Sequence, residues 1–179
     1  DIELSHERSG IGLYVGGEIQ MRGGSVHARG DGASAVSFET GGGGTLLLDG
    51  VDLSGHFGIS MTEGSELTLR NSQLLSNSIG IDVNQPDGKA TVVGSVITAR
   101  DGKGVQLMND GELEIESSQI TAEGDRWQAV ALYGGTTRIA SSRLRTPARP
   151  EALSSVRRSA PPSMSWQKPP IRCSPPHAK

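Results

Sequence analysis

"GISMTEGSELTLRNSQL", residues 58–74, holds three short apolar phrases separated by turn residues, and recurs in close form as "GVQLMNDGELEIESSQI" at residues 104–120. In the first copy Ile59 and Met61 alternate, Gly64 breaks the run, Leu67 and Leu69 alternate, and Leu74 follows five residues later. Alternation with period 2 over short runs, cut by Gly, Asn and Asp, is strand chemistry. Working outward in both directions, the phrase occurs six times. Its first apolar pairs are Leu13/Val15, Val36/Phe38, Ile59/Met61, Ile81/Val83, Val105/Leu107 and Val130/Leu132, separated by 23, 23, 22, 24 and 25 residues. A fixed period in this range marks a repeat architecture and takes precedence over any local motif.

A glycine turn follows each pair, and then a second pair: Ile19/Met21, Leu46/Leu48, Leu67/Leu69, Ala90/Val92, Leu113/Ile115 and Thr137/Ile139. A third phrase is centred on Val26, Leu53, Leu74, Ile97, Ile120 and Leu144. Helical spacing is not sustained anywhere in residues 1–145. Three short strands per copy, turning the same way each time, predict an all-β fold. It is a parallel β-helix of about six coils, with alternate side chains pointing inward, and right-handed by the strong bias of parallel crossovers. Strands about 4.8 Å apart make six coils a column roughly 29 Å long. The small residue before each first pair (Gly12, Ala35, Gly58, Gly80, Gly104, Ala129) fits a bend where one coil's backbone crowds the next. The serines Ser72, Ser95, Ser118 and Ser142, two positions before the third apolar residue, are placed to form an internal hydrogen-bond ladder. One coil alone cannot bury enough apolar surface to offset the entropy of ordering it, so coils must stack.

The composition agrees with a thin column: 25 Gly in 179 residues and 3% aromatics leave little for a globular aromatic core. The rhythm stops after residue 145. Residues 146–179 hold eight of the nine prolines and six Lys and Arg against one acid. Such a segment is expected to be a disordered tail, either a linker or the product of a shifted reading frame. It lacks the aromatic interleaving of a nucleic-acid surface, and no nucleic-acid partner is expected. Residues 1–145 carry a net charge of −8, from 11 Lys and Arg against 19 Asp and Glu. The only cysteine, Cys173, lies in the tail, so no disulfide or thiolate metal site is expected in the column. No initiating Met, signal peptide or transmembrane span is evident, which suggests a piece of a longer or processed protein.

The phrase "GIGLYVGGEIQMRGGSVHARGD", residues 10–31, and its later copies resemble the coils of pertactin-like autotransporter passenger domains. Those share Gly-apolar-x-apolar, a glycine turn, apolar-x-apolar, and a Ser or Thr before a third short strand. The resemblance covers residues 10–145. It implies a bacterial surface-displayed or secreted adhesin with a host cell-surface receptor as partner. It also implies a passenger that is not membrane-embedded, and a monomer. The resemblance further marks Arg29, Gly30 and Asp31 as a cell-binding tripeptide directed at an integrin. An aspartate can complete the coordination of a receptor-held divalent cation while an arginine reaches an acidic pocket. Against this stands ordinary corner chemistry, since Arg100-Asp101-Gly102 and Gly124-Asp125-Arg126 use the same residue types.

Two other function classes remain open: a carbohydrate-active β-helical enzyme, and a stalk with no ligand of its own. An enzyme of the first kind needs carboxylates about 5–9.5 Å apart, one or two coil spacings. Asp82 faces outward, but its aligned positions hold Tyr14, Ser37, Ser60, Gln106 and Ala131, and Glu114 aligns with Thr91 and Arg138. Asp101 and Asp125 are the nearest to aligned corner acids, while His6, His27, His56 and His177 show no metal spacing. The expectation is therefore no catalytic residues, no metal and no cofactor. Trp127 is read either as a partner contact or as a cap on the column.

Overall fold

The computed structural model describes residues 1–5, 10–41 and 43–146; the expected tail, from residue 147 onward, lies outside the described residues. A first strand, β1 (Ile2–Ser5), precedes six coils of three strands each. The first two coils are β2 (Ile11–Val15), β3 (Glu18–Arg22) and β4 (Ser25–Arg29), then β5 (Ser34–Phe38), β6 (Thr45–Asp49) and β7 (Asp52–Gly55). The middle two are β8 (Phe57–Met61), β9 (Glu66–Arg70) and β10 (Gln73–Ser76), then β11 (Ile81–Val83), β12 (Lys89–Val93) and β13 (Val96–Ala99). The last two are β14 (Val105–Leu107), β15 (Glu112–Glu116) and β16 (Gln119–Ala122), then β17 (Val130–Leu132), β18 (Thr136–Ala140) and β19 (Arg143–Arg145). Among the described residues no helix is long and apolar enough to cross a membrane.

Every ladder is parallel, and each strand pairs with its counterpart one coil away, giving three sheets of six, six and seven strands. The sequence period is thus the pairing register: Leu13 faces Val36, Val36 faces Ile59, Ile59 faces Ile81, Ile81 faces Val105, and Val105 faces Val130. The seventh strand of the third sheet is β1, whose Ile2 stands opposite Val26.

Inward side chains stack in columns. Met21, Leu48, Leu69, Val92, Ile115 and Ile139 form one such column, sealed in the middle and open at the last coil, where Ile139 is 40% exposed. The third sheet carries a second inward column that the apolar pattern conceals. It runs Ala28, Gly55, Ser76, Ala99 and Ala122, small residues throughout, and Ser76 is fully buried with its hydroxyl donating to the carbonyl of Ser78. Small side chains let the third strand approach the other two sheets closely.

The corner between the second and third strands is left-handed in all six coils. Gly23, Gly50, Asn71, Gly94, Ser117 and Ser141 have φ between 48 and 68°. Glycine takes this conformation without steric penalty, whereas asparagine and serine occupy it at a cost of roughly 1–2 kcal/mol. Immediately after it stand the four serines, and they do form a ladder, although not from hydroxyl to hydroxyl. Each hydroxyl donates to a carbonyl two residues back in its own coil, as Ser95 does to Val93 at 2.9 Å. Each also accepts a backbone N–H from the preceding coil: Val51 to Ser72, Ser72 to Ser95, Ser95 to Ser118 and Ser118 to Ser142, at 3.0–3.2 Å. Buried N–H groups that a tight corner turns away from the sheet ladders are thereby satisfied, and each bond contributes about 0.5–1.5 kcal/mol.

Candidate functional site

Arg29 is the last residue of β4, so its backbone is fixed by the third sheet while its side chain, 70% exposed, leaves the column. The chain then turns. The N–H of Ala33 donates to the carbonyl of Gly30 at 3.2 Å, closing a four-residue turn with Asp31 second and Gly32 third. Gly32 has a φ of +85°, the value that a type II turn requires at its third position. Gly30, at +132°, lies where L side chains rarely go. Ala33 is fully buried and anchors the turn, so Asp31 is left exposed at the tip. The three residues singled out in the sequence therefore share one protruding corner.

The arginine is not idle there. Its guanidinium pairs with Glu3 of β1 at 3.1 Å, and both side chains are more than half exposed. Pairs of this kind are worth about 0–1 kcal/mol, so an incoming anion can displace Glu3 at little expense.

The register also settles where the other candidates sit. Arg100 occupies the same corner as Arg29, three coils on, as the alignment of β4, β7, β10 and β13 requires. Asp101 accepts the indole N–H of Trp127 at 3.0 Å, so Trp127 ties the last full corner to the one before it. Among the described residues no group of three or more His, Cys, Asp and Glu is placed to hold a metal ion. On the second sheet Glu114 lies between Thr91 and Arg138 and pairs with Arg138 at 3.0 Å.

Asp82 stands between Ser60 and Gln106 on the outside of the first sheet. Gln106 is outward-facing by register yet only 5% exposed. It donates to Asp82 Oδ1 at 2.9 Å and accepts from Lys103 Nζ, which also lies 4.8 Å from the centre of the Tyr133 ring. Burial pushes the Asp82 carboxyl above its ordinary range, while the Gln106 hydrogen bond and the Lys103 charge pull it back in part. A carboxyl raised on folding stabilises the fold most when protonated, and that contribution is lost as pH rises through the folded value. Asp82→Asn is therefore expected to raise the melting temperature at pH 7. The gain should fade as pH falls below about 4, the ordinary carboxylate value. Thermal melts of both proteins at the two pH values check this, and a lower melting temperature for the variant at pH 7 would contradict it.

One contact was invisible in the sequence. His27 and Ser54, 27 residues apart, are register neighbours on the third sheet, with Nδ1 and Oγ 2.7 Å apart. This is the spacing of a base and a nucleophile. Glu3, next in the same row, gives its carboxylate to Arg29 instead. Only the coil spacing, once known, brings such pairs into view.

No curated protein and no solved structure matches this chain. The family described as "Right handed beta helix region" matches residues 2–139, which takes in 17 strands completely and nearly all of β18. With that match over most of its length, and with three parallel sheets wound coil upon coil, the chain belongs to the right-handed β-helix family.

Proposed function

We propose that this column is the displayed part of a bacterial cell-surface adhesin of the autotransporter passenger type, acting by binding and not by catalysis. Its Arg29-Gly30-Asp31 corner engages an integrin-type receptor on host cells. The observation that supports this reading is the turn itself. Its closing hydrogen bond and two positive-φ glycines hold Asp31 clear of the sheet ladders beside the exposed Arg29 side chain at the end of β4, and the buried Ala33 fixes its base. A rigid scaffold carrying an exposed loop is the usual arrangement for recognition.

Asp31→Glu keeps the charge and lengthens its reach. Host cells should lose most of their adhesion to the immobilised variant, by about tenfold or more, because a cation-coordinating carboxylate tolerates little displacement. Asp31 is exposed at the turn tip, so the far-UV circular dichroism and melting curve should match those of the parent chain. Adhesion equal to the parent's would overturn the role of the tripeptide.

A further inference from the structure

Among the described residues the third sheet ends in two open edges, β1 at one end of the column and β19 at the other. The rows that cross this sheet join the two edges residue by residue. Followed coil by coil, the row that starts at Ile2 ends at Leu144, and the row that starts at Glu3 ends at Arg145. Asp1 accepts a hydrogen bond from the Ser25 hydroxyl at 3.1 Å, and the row through Ser25 ends at Arg143. A strand laid one step beyond β19, in the register the column already uses, would therefore meet Arg143, Leu144 and Arg145. β1 has the matching face: Asp1, Ile2 and Glu3 would set acid on arginine, apolar on apolar, and acid on arginine. All six residues are exposed. The charge of the column is divided in the same sense. Residues 123–145 hold four arginines against two acids, and residues 1–24 hold four acids against two arginines, in a column of net charge −8. Each edge also has one opposing group nearby. Arg29 pairs with Glu3 at 3.1 Å, and Glu123 lines one groove with Leu144 and Arg145.

We propose that the chain stacks end to end on copies of itself, β1 of one copy pairing in parallel with β19 of the next. An open edge is a ready template for another strand, and charges on it decide which strand can come. Arginines on one edge repel a second β19, and acids on the other repel a second β1, so each edge selects its opposite. Across the joint, Glu123, Arg145, then Glu3 and Arg29 of the next copy alternate in sign. The contact joins two different surfaces and does not close on itself, so copies add into an open stack. The joint is narrow. β1 is a lone third-sheet strand, so the first and second sheets each lack one strand there, and β17 stands roughly 10 Å, two strand spacings, from the next copy's β2. Association is therefore reversible and weaker than coil on coil within one chain. It does not depend on any receptor for the tripeptide.

Sedimentation velocity of the full chain at low salt tests this. The weight-average sedimentation coefficient should rise with protein concentration without levelling off at a dimer. At about 1 M salt, where the Debye length is about 3 Å, it should fall. Arg145→Glu and Glu3→Arg should each weaken association by about tenfold or more, because each sets like charges face to face. An equimolar mixture of the two variants should associate as the parent does, since each supplies the edge that the other lacks. Arg138→Glu is the same charge change on the second sheet, where no strand arrives, and should alter association by less than about twofold. The occupant of the edge is read by coupling. In a mixture of isotopically light and heavy Arg145→Lys protein, a carbodiimide should join the new amine to Glu3 of the other isotopic form. Coupling to Glu151 of the same chain instead would place residues 147–179 on β19 and overturn the proposal. So would a monomer at every concentration, or a mixture no more associated than either variant alone. Equal losses for Arg138→Glu and Arg145→Glu would also overturn it.

Discussion

Replacing Gly80 by valine should destabilise the column by about 3 kcal/mol or more and remove its cooperative unfolding transition. Gly80 is buried at the bend before β11, and a Cβ there would land on the carbonyl oxygen of Gly104 and within 2.7 Å of Ile97 Cγ2. Neither can yield. The carbonyl of Gly104 accepts the N–H of Ile81, and Ile97 is a fully buried member of the core. Gly58 meets the same obstruction from Gly80, and Gly104 meets it from Ala129, so the crowding is a property of the stack. Alanine is accepted at two of the three remaining bend positions for visible reasons. Ala129 has no further coil above it among the described residues. At Ala35 the hydrogen-bond pattern changes, with Phe57 N–H donating back to Ala33. Gly17→Ala is the control, since nothing lies within 4 Å of a Cβ there; it should change stability by no more than about 1 kcal/mol. Urea denaturation followed by circular dichroism measures both. A Gly80→Val protein as stable as the Gly17→Ala protein would show that the coils are not in contact at this bend.

The second large effect depends on position within one column. Ile115 and Ile139 are register partners, identical in type, yet Ile115 is fully buried and Ile139 is 40% exposed, with no further coil over it among the described residues. Ile115→Ala should cost about 2–5 kcal/mol, the transfer of the lost atoms plus the cavity they leave. Ile139→Ala should cost less than about half as much, since its side chain is already partly in water and its surroundings can relax. Denaturant midpoints with unchanged slopes give the comparison directly. Equal losses at the two positions would mean that another part of the protein seals the last coil.

What could be read in advance was whatever recurs. Leu13, Val36, Ile59, Ile81, Val105 and Val130 could be aligned because an apolar residue returns at each turn, and the structure pairs them in that order. The Ala28–Ala122 column escaped because packing there selects for small size, and glycine and serine break an apolar pattern while fitting the space. β1 escaped because a single strand cannot show a period. Gln106 was read as solvent-facing from its alternation, and it does face outward. Its burial comes from Lys103 and Met108, neighbours that no two-residue rhythm encodes. At the tripeptide corner the charged residues were legible as letters. The Glu3 partner of Arg29 and the Gly30–Ala33 hydrogen bond depend on which coils lie side by side and on φ, and neither is written in residue type.

The uniform one-coil register has a kinetic meaning. Ile2 pairs with a residue 24 positions on, and the pairs of later coils are separated by 21 to 27 positions. The chain therefore never has to close a longer loop than this, however many coils it adds. Because closure entropy grows only with the logarithm of loop length, each new coil meets nearly the same barrier as the one before it. Each finished coil also presents a ready edge of N–H and C=O groups on which the next can form. Such a chain can be built by addition, from one end, as it emerges from a ribosome or a pore, without waiting for its far terminus.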